Sequence, residues 1–267
     1  MKFCGVVVWY NPADDVLNNI NSYITEIEKL YIIDNSKDNH NNLLADYKYQ
    51  NKCEYISLHK NLGLAYALNV GCKKAIKDSF DYVLTMDQDS IFEPTAVSKL
   101  KVAAQKDKRY GIICPNVKSI YHDEKTNLDK VAYLKWKKEE FKEIPWTMTS
   151  GSLTSLKAYT DVGGFDDDLF IAHIDIDFCI RLKQDNWKIL MVGPAVIKQL
   201  IKAETYSLGI FLELLSDDLA DDCLVLIELA FFSDKLEDFA SSSIEMLSLR
   251  SDSLIEELSA LLLSTAS

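Results

Sequence analysis

Continuous apolar runs alternate with stretches in which apolar residues recur every three or four positions. Phe3 to Trp9 is one such run, and Tyr10-Asn11-Pro12 stops it. Val16, Leu17, Ile20 and Tyr23 then follow at helical spacing. Leu30 to Ile33 is a second run, ended by Asp34-Asn35-Ser36, and 43–49 suggests a short helix. Glu54 to Leu58 predicts a third strand. A helix capped by Asn61 runs to Lys77, with Leu64, Leu68, Cys72 and Ile76 four apart. Phe80 to Met86 is a fourth strand, Thr95 to Gln105 a helix, and Tyr110 to Cys114 a fifth strand closed by Pro115. Unbroken apolar runs are the pattern of strands covered on both faces. Their alternation with helices predicts βαβ units and a mainly parallel sheet in an α/β fold.

In such sheets a ligand sits beyond the carboxyl ends of the strands, where the strand order switches direction. That rule gathers Tyr10-Asn11-Pro12, Asp34-Asn35-Ser36, His59 to Gly63 and Asp87-Gln88-Asp89 along one edge. Each is ordinary turn chemistry by itself. The last differs in carrying two carboxylates two residues apart where a strand gives way to a loop. A hard cation such as Mg²⁺ or Mn²⁺ takes oxygen ligands of this kind and keeps positions for substrate phosphates.

From Lys118 to Lys142 the pattern dissolves into polar residues with scattered aromatics, as in a surface excursion. A helix is expected from about Ser155, and a second ending near Gln184 carries Asp175 and Asp177 at its start. Carboxylates at i and i+2 do not share a helix face, so the two should have separate jobs. Asp177 and Arg181, at i and i+4, are placed to pair. Asp175 is then free to face a cleft, near a helix N-terminus that favours an ionised carboxylate. Lys188 to Val192 is the last strand before a boundary near Gln199.

Composition sharpens that boundary. The chain has 267 residues and a net charge of −12, which excludes a nucleic-acid-coating surface. Residues 200–267 hold 3 basic and 14 acidic residues, no Pro and one Gly. Apolar residues there recur at three and four, and Ser253 with Glu256 forms a capping-box pattern. The expectation is a domain at 1–199 and an acidic helical extension at 200–267 that pairs chains into a homo-oligomer. The six Cys show no C-x-x-C pair and mostly sit in apolar runs, as buried thiols in a reducing compartment do. No stretch approaches the roughly 20 apolar residues of a membrane span. The expected location is cytoplasmic.

The ordered set VVVWYNP (6–12), IIDNS (32–36), HKNLGLAYALNVG (59–71), YVLTMDQDS (82–90), TSGSL (149–153), VGGFDDDLFI (162–171) and HIDIDFCIRL (173–182) resembles the family 2 glycosyltransferases of GT-A fold, especially the rhamnosyltransferase-like branch. The resemblance implies transfer of a sugar from a nucleotide-diphosphate donor to an acceptor hydroxyl, with inversion and with Mn²⁺ or Mg²⁺ as cofactor. It implies that Tyr10, Asn11, Asp34 and Asn61, in loops that include Gly63, meet the nucleoside. Asp87 and Asp89 would hold the metal and the ribose–diphosphate, and Asp175 would be the catalytic base. Thr149, Ser150 and Gly151 would present hydroxyls and backbone N–H groups to donor sugar or acceptor, with Trp146 either stacked on a sugar or packed in the core.

That division of labour is chemically consistent. A leaving diphosphate develops negative charge that a cation stabilises, and the attacking hydroxyl needs a base on the other side of the sugar. The donor is a UDP-hexose, a UDP-N-acetylhexosamine or dTDP-rhamnose, and the acceptor a glycan, a lipid-linked sugar or a glycoprotein. One departure stands out. Members often carry a His after the last strand, and Ile197-Lys198-Gln199-Leu200 has none. Either metal binding is weakened, or Lys198 takes up phosphate charge instead. A nucleotidyltransferase of the same fold class would need a Gly-rich basic loop after the first strand, which Tyr10-Asn11-Pro12 is not. A partner subunit that keeps the fold and recruits another protein through the tail is the alternative from a different class.

Overall fold

The computed structural model describes residues 1–123, 128–134 and 141–201. The expectations for the acidic extension, its helices and Cys223 lie outside them. Ten strands form one sheet: β1 (Phe3–Trp9), β2 (Lys29–Asp34), β3 (Cys53–Ser57), β4 (Tyr82–Asp87), β5 (Ile91–Phe92), β6 (Tyr110–Asp123), β7 (Leu128–Leu134), β8 (Phe141–Glu143), β9 (Leu153–Ser155) and β10 (Lys188–Ile201). Their order is β3-β2-β1-β4-β9-β6-β10-β5, with β7 beside β6 and β8 beside β10. The β3-β2-β1-β4 half is parallel throughout, as is the β6–β10 pair, while short β9 joins the two halves antiparallel to both neighbours.

Among the described residues five α-helices cover the sheet: α1 (Val16–Ile20), α2 (Leu64–Lys77), α3 (Ala96–Ala104), α4 (Leu156–Asp161) and α5 (Ile174–Gln184). They divide between the two faces, which is why β1 and β2 read as unbroken apolar runs. Val7, Trp9 and Ile32 pack with residues of α1 and α3. Val6, Val8, Tyr31 and Ile33 pack with α2, α4 and α5. Burial of each large side chain contributes on the order of 2 kcal/mol.

Several expected boundaries moved. Asn61 does not cap α2. Gly63 holds the N-cap position at φ 90°, and a Cβ there would stand 2.7 Å from the Phe170 carbonyl oxygen. Only glycine fits both demands. Pro115 does not close its strand, because β6 continues through it to Asp123. It lies past the two residues that pair with β9, and beside an irregularity in β10 between Val192 and Val196, so its missing N–H costs no regular ladder bond. Beyond that irregularity β10 runs on past Gln199 to Ile201. The polar stretch after Lys118 contributes β7 and β8. No described helix is long and apolar enough to cross a membrane.

Candidate active site

The chain passes β1 to β2 to β3 on one side of the sheet, then returns to place β4 on the other side of β1. The switch point therefore lies between the carboxyl ends of β1 and β4, where ligands bind in open α/β sheets. Tyr10 follows one of these strands and Asp87-Gln88-Asp89 closes the other.

Hydrogen bonds tie the four expected loops together. Asn11, in the left-handed region at φ 45°, donates its N–H to Ser36 Oγ at 2.7 Å. Asn35 donates its N–H to the Trp9 carbonyl at 2.8 Å. Its side chain donates to Asn61 Oδ1 at 2.9 Å and accepts the Leu62 N–H at 2.8 Å. Asn61 Oδ1 also accepts the Gly63 N–H at 3.0 Å. Asn35 had passed as one more turn residue. Its role as the hub of three loops has no signature beyond its place after Asp34.

Asp34 is enclosed by its own neighbours. Its side chain is 0% exposed. It accepts from the Ser36 N–H at 3.0 Å, from His40 Nδ1 at 2.9 Å and from the Tyr55 hydroxyl at 2.5 Å. Burial alone would raise its pKa, but these donors outweigh burial and hold it below the usual carboxylate range.

At the end of β4 the balance is reversed. Burial lifts the Asp87 carboxyl to about 7, neighbouring Asp89 adds to the rise, and Asp175 contributes further. The Ser150 hydroxyl, which accepts the Asp87 N–H at 3.4 Å, opposes the shift without cancelling it. Mutual repulsion between neighbouring carboxylates is what a hard divalent metal relieves, so Asp87 and Asp89 fit such an ion. Among the described residues no cluster of three or more His, Cys, Asp or Glu could hold a metal. The remaining positions would fall to substrate oxygens and water. Lys198 pairs in register with Ile91, two residues beyond Asp89.

Asp175 sits in the first turn of α5, after His173 at the N-cap. It makes no ion pair with Arg181, which goes to Asp177, and it is anchored by Thr149. Oδ1 accepts the Thr149 N–H at 2.9 Å, and the nearby Thr149 side chain also favours the ionised form. Burial outweighs these donors and raises its pKa. A raised carboxyl suits a general base. Asp177 does pair with Arg181, at 2.9 Å to Nε, and Arg181 also donates to the Val162 and Gly164 carbonyls at 2.8 and 2.7 Å. His173 is exposed.

The segment 149–152 is zipped to β4. The Gly151 N–H donates to the Thr85 carbonyl at 2.8 Å, and the Thr85 N–H to the Ser152 carbonyl at 3.0 Å. Gly151 takes φ 75°, and a Cβ there would stand 2.6 Å from Ile197 Cδ1. The backbone N–H groups of Thr149 and Gly151 are therefore spent inside the protein and not offered to a sugar. The Ser150 hydroxyl, beside Asp87, also lies 3.1 Å from Ser90 Oγ. Trp146 packs against the α5 side of the core.

Residues 5–159 match the family described as Glycosyl transferase family 2. A dTDP-rhamnosyl transferase RfbF of Shigella flexneri is 30% identical over 198 residues, covering 66% of this chain and 62% of that protein. A poly-beta-1,6-N-acetyl-D-glucosamine synthase of Staphylococcus aureus (strain MSSA476) is 28% identical over 187 residues, covering 65% and 44%. The chain thus spans about half to three-fifths of the length of these relatives. Among solved structures, GalNAc-T7 with UDP, GalNAc and Mn²⁺ superposes with a TM-score of 0.61 at 15% identity, over 75% of this chain and 44% of that one. S. aureus TarS 1-349 in complex with UDP gives 0.59 at 16%, over 90% and 75%. These two likenesses concern the fold.

Proposed function

Because the chain belongs to glycosyl transferase family 2 and has the GT-A fold, we propose that it transfers a sugar from a nucleoside-diphosphate donor to an acceptor hydroxyl, with inversion and with help from Mn²⁺ or Mg²⁺. One observation carries the reading. The dipeptide Thr149-Ser150 touches Asp175 with its first residue and Asp87 with its second. The carboxylates of β4 and the carboxylate of α5 therefore border the same space.

Asp87 and Asp89 would hold the divalent cation, which when bound would supply Lewis-acid stabilisation of the leaving diphosphate. Tyr10, Asn11, Asn61 and Gly63 border the nucleoside, and Asp34 fixes the loop around Ser36 and His40 beside it. The acceptor hydroxyl attacks the anomeric carbon as the bond from that carbon to the diphosphate oxygen breaks. The hydroxyl proton passes to Asp175. The Thr149 N–H fixes Oδ1 of Asp175, leaving Oδ2 for that proton. The likeness to a rhamnosyl transferase supports dTDP-rhamnose as donor, and the likeness to a polysaccharide synthase supports a UDP-N-acetylhexosamine. A glycan, lipid-linked sugar or glycoprotein is the acceptor. The proposal includes a cytoplasmic location, a domain at 1–199, and residues 200–267 as a homo-oligomer element.

The test is release of nucleoside diphosphate from a panel of UDP- and dTDP-sugars with added Mn²⁺. Loss of turnover in both Asp89→Ala and Asp175→Ala, with the fold retained, is the expected result. Full turnover in either variant would sink the assigned roles. Donor binding without turnover, together with a co-purifying partner, would favour a subunit that has kept the fold alone.

A further inference from the structure

We infer that Gln88, the middle residue of the Asp87-Gln88-Asp89 turn, is a positioning residue that sets the distance between the nucleoside loop and the metal carboxylates. This rests on the function proposed above. The parallel ladder between β1 and β4 ends at Val8 opposite Asp87. The Gln88 side chain then takes over where the backbone stops. Its Oε1 accepts the Tyr10 N–H at 2.9 Å, and its Nε2 donates to the Tyr10 carbonyl at 3.2 Å. One primary amide thus satisfies both backbone groups of a residue 78 positions away.

The bond pair lies across the switch point of the sheet, with Tyr10 at the end of β1 and Asp87 at the end of β4. The Gln88 carbonyl accepts from Asn19 Nδ2 at 2.8 Å, so the turn is also braced against α1. The loops that the proposed function gives to the nucleoside and to the diphosphate are therefore joined by one side chain. A donor that spans both loops binds best when their separation is set beforehand, since ordering mobile loops on binding reduces affinity. Gln88 is not a core residue, so its amide is not needed to fill space. No other side chain of similar length does the same work. Glu keeps the acceptor but has no donor, and Met keeps the length but has neither.

The experiment is titration calorimetry of UDP and of dTDP, each with Mn²⁺, on the full chain and on its Gln88→Met and Gln88→Glu variants, with thermal midpoints in parallel. The expected result for Gln88→Met is about tenfold weaker binding of the nucleotide that wild type prefers, the scale of one to two ordinary hydrogen bonds. Gln88→Glu should fall between Met and wild type, because it retains the bond to the Tyr10 N–H. Midpoints should stay within about 3 °C of wild type, the shift that about 1 kcal/mol produces in a domain of this size. Binding by Gln88→Met within twofold of wild type overturns the inference. So does a large drop in midpoint, because the amide would then be a staple of the fold. If wild type binds neither nucleotide, the proposed function fails and this inference falls with it. If wild type and variant bind equally, only this inference falls.

Discussion

The backbone N–H of Thr149 donates to Oδ1 of Asp175 at 2.9 Å. This bond separates what Asp175 does for the fold from what it does for the reaction. Asp175→Asn keeps an oxygen acceptor for Thr149 and loses the base. Asp175→Ala loses both and leaves the Thr149 N–H unpaired, which costs on the order of 1–3 kcal/mol. Both variants should lose roughly 100- to 10,000-fold in kcat, the usual worth of a general base. Only the Ala variant should also show a clearly lower thermal midpoint. Paired turnover assays and melting curves check this, and equal midpoints would refute the structural half.

Asp87 predicts a pH-dependent response to metal. An unfolded Asp ionises near pH 3.9 on the usual scale, whereas burial and Asp89 lift folded Asp87 to about 7. Between those values the folded protein holds a proton that the unfolded chain has released. Metal-free stability from this group therefore falls as pH rises from about 4 to about 7, and stays low above that. Mn²⁺ competes with the proton, so it should raise the midpoint more at pH 8 than at pH 5.5. Asp87→Asn should flatten both trends while abolishing turnover. Scanning calorimetry at the two pH values, with and without Mn²⁺, is the measurement.

Tyr23 is 0% exposed, and its hydroxyl has no hydrogen-bond partner among the described residues. Its ring packs edge-on to Phe92 at 6.4 Å. Tyr23→Phe keeps the ring and removes the unpaired group. Stability should be unchanged or higher by up to about 1 kcal/mol, because an unsatisfied buried hydroxyl is a cost and not a contact. Urea unfolding would show it, and a loss of more than about 1 kcal/mol would mean that the hydroxyl does find a partner.

Arg181 joins Asp177 to the carbonyls of Val162 and Gly164, at the turn between α4 and α5. Arg181→Ala leaves two carbonyls and one carboxylate without their donor. A loss on the order of 2–4 kcal/mol is expected. Turnover per folded molecule should fall far less than in Asp175 variants, since Arg181 holds the helix and does not face the reaction. Urea unfolding and turnover corrected for folded fraction separate the two effects.

The alternation of apolar runs and helical spacing located β1 to β4, α2, α3 and α5 within a few residues. These elements report on near neighbours along the chain, where the period of side-chain exposure is dictated by local geometry. Boundaries set by tertiary contact were misread. Gly63, and not Asn61, is the N-cap of α2, and Phe170 leaves no room for a Cβ there. β6 passes through Pro115 because the β10 irregularity lies beside it.

The same division holds in the site. The amino-acid sequence by itself determined that two Asp close the fourth strand, that a second pair opens a late helix, and that polar loops line one sheet edge. These are statements about which residue types follow which elements. Only the tertiary structure decided what each group can do. It buried Asp34 under Ser36, His40 and Tyr55, raised Asp87 and Asp175 by burial, and gave the amide of Gln88 to Tyr10. A carboxylate's proton affinity and a turn residue's partner depend on solvent exclusion and on donors far away in the chain, and neither leaves a mark on the residues beside it.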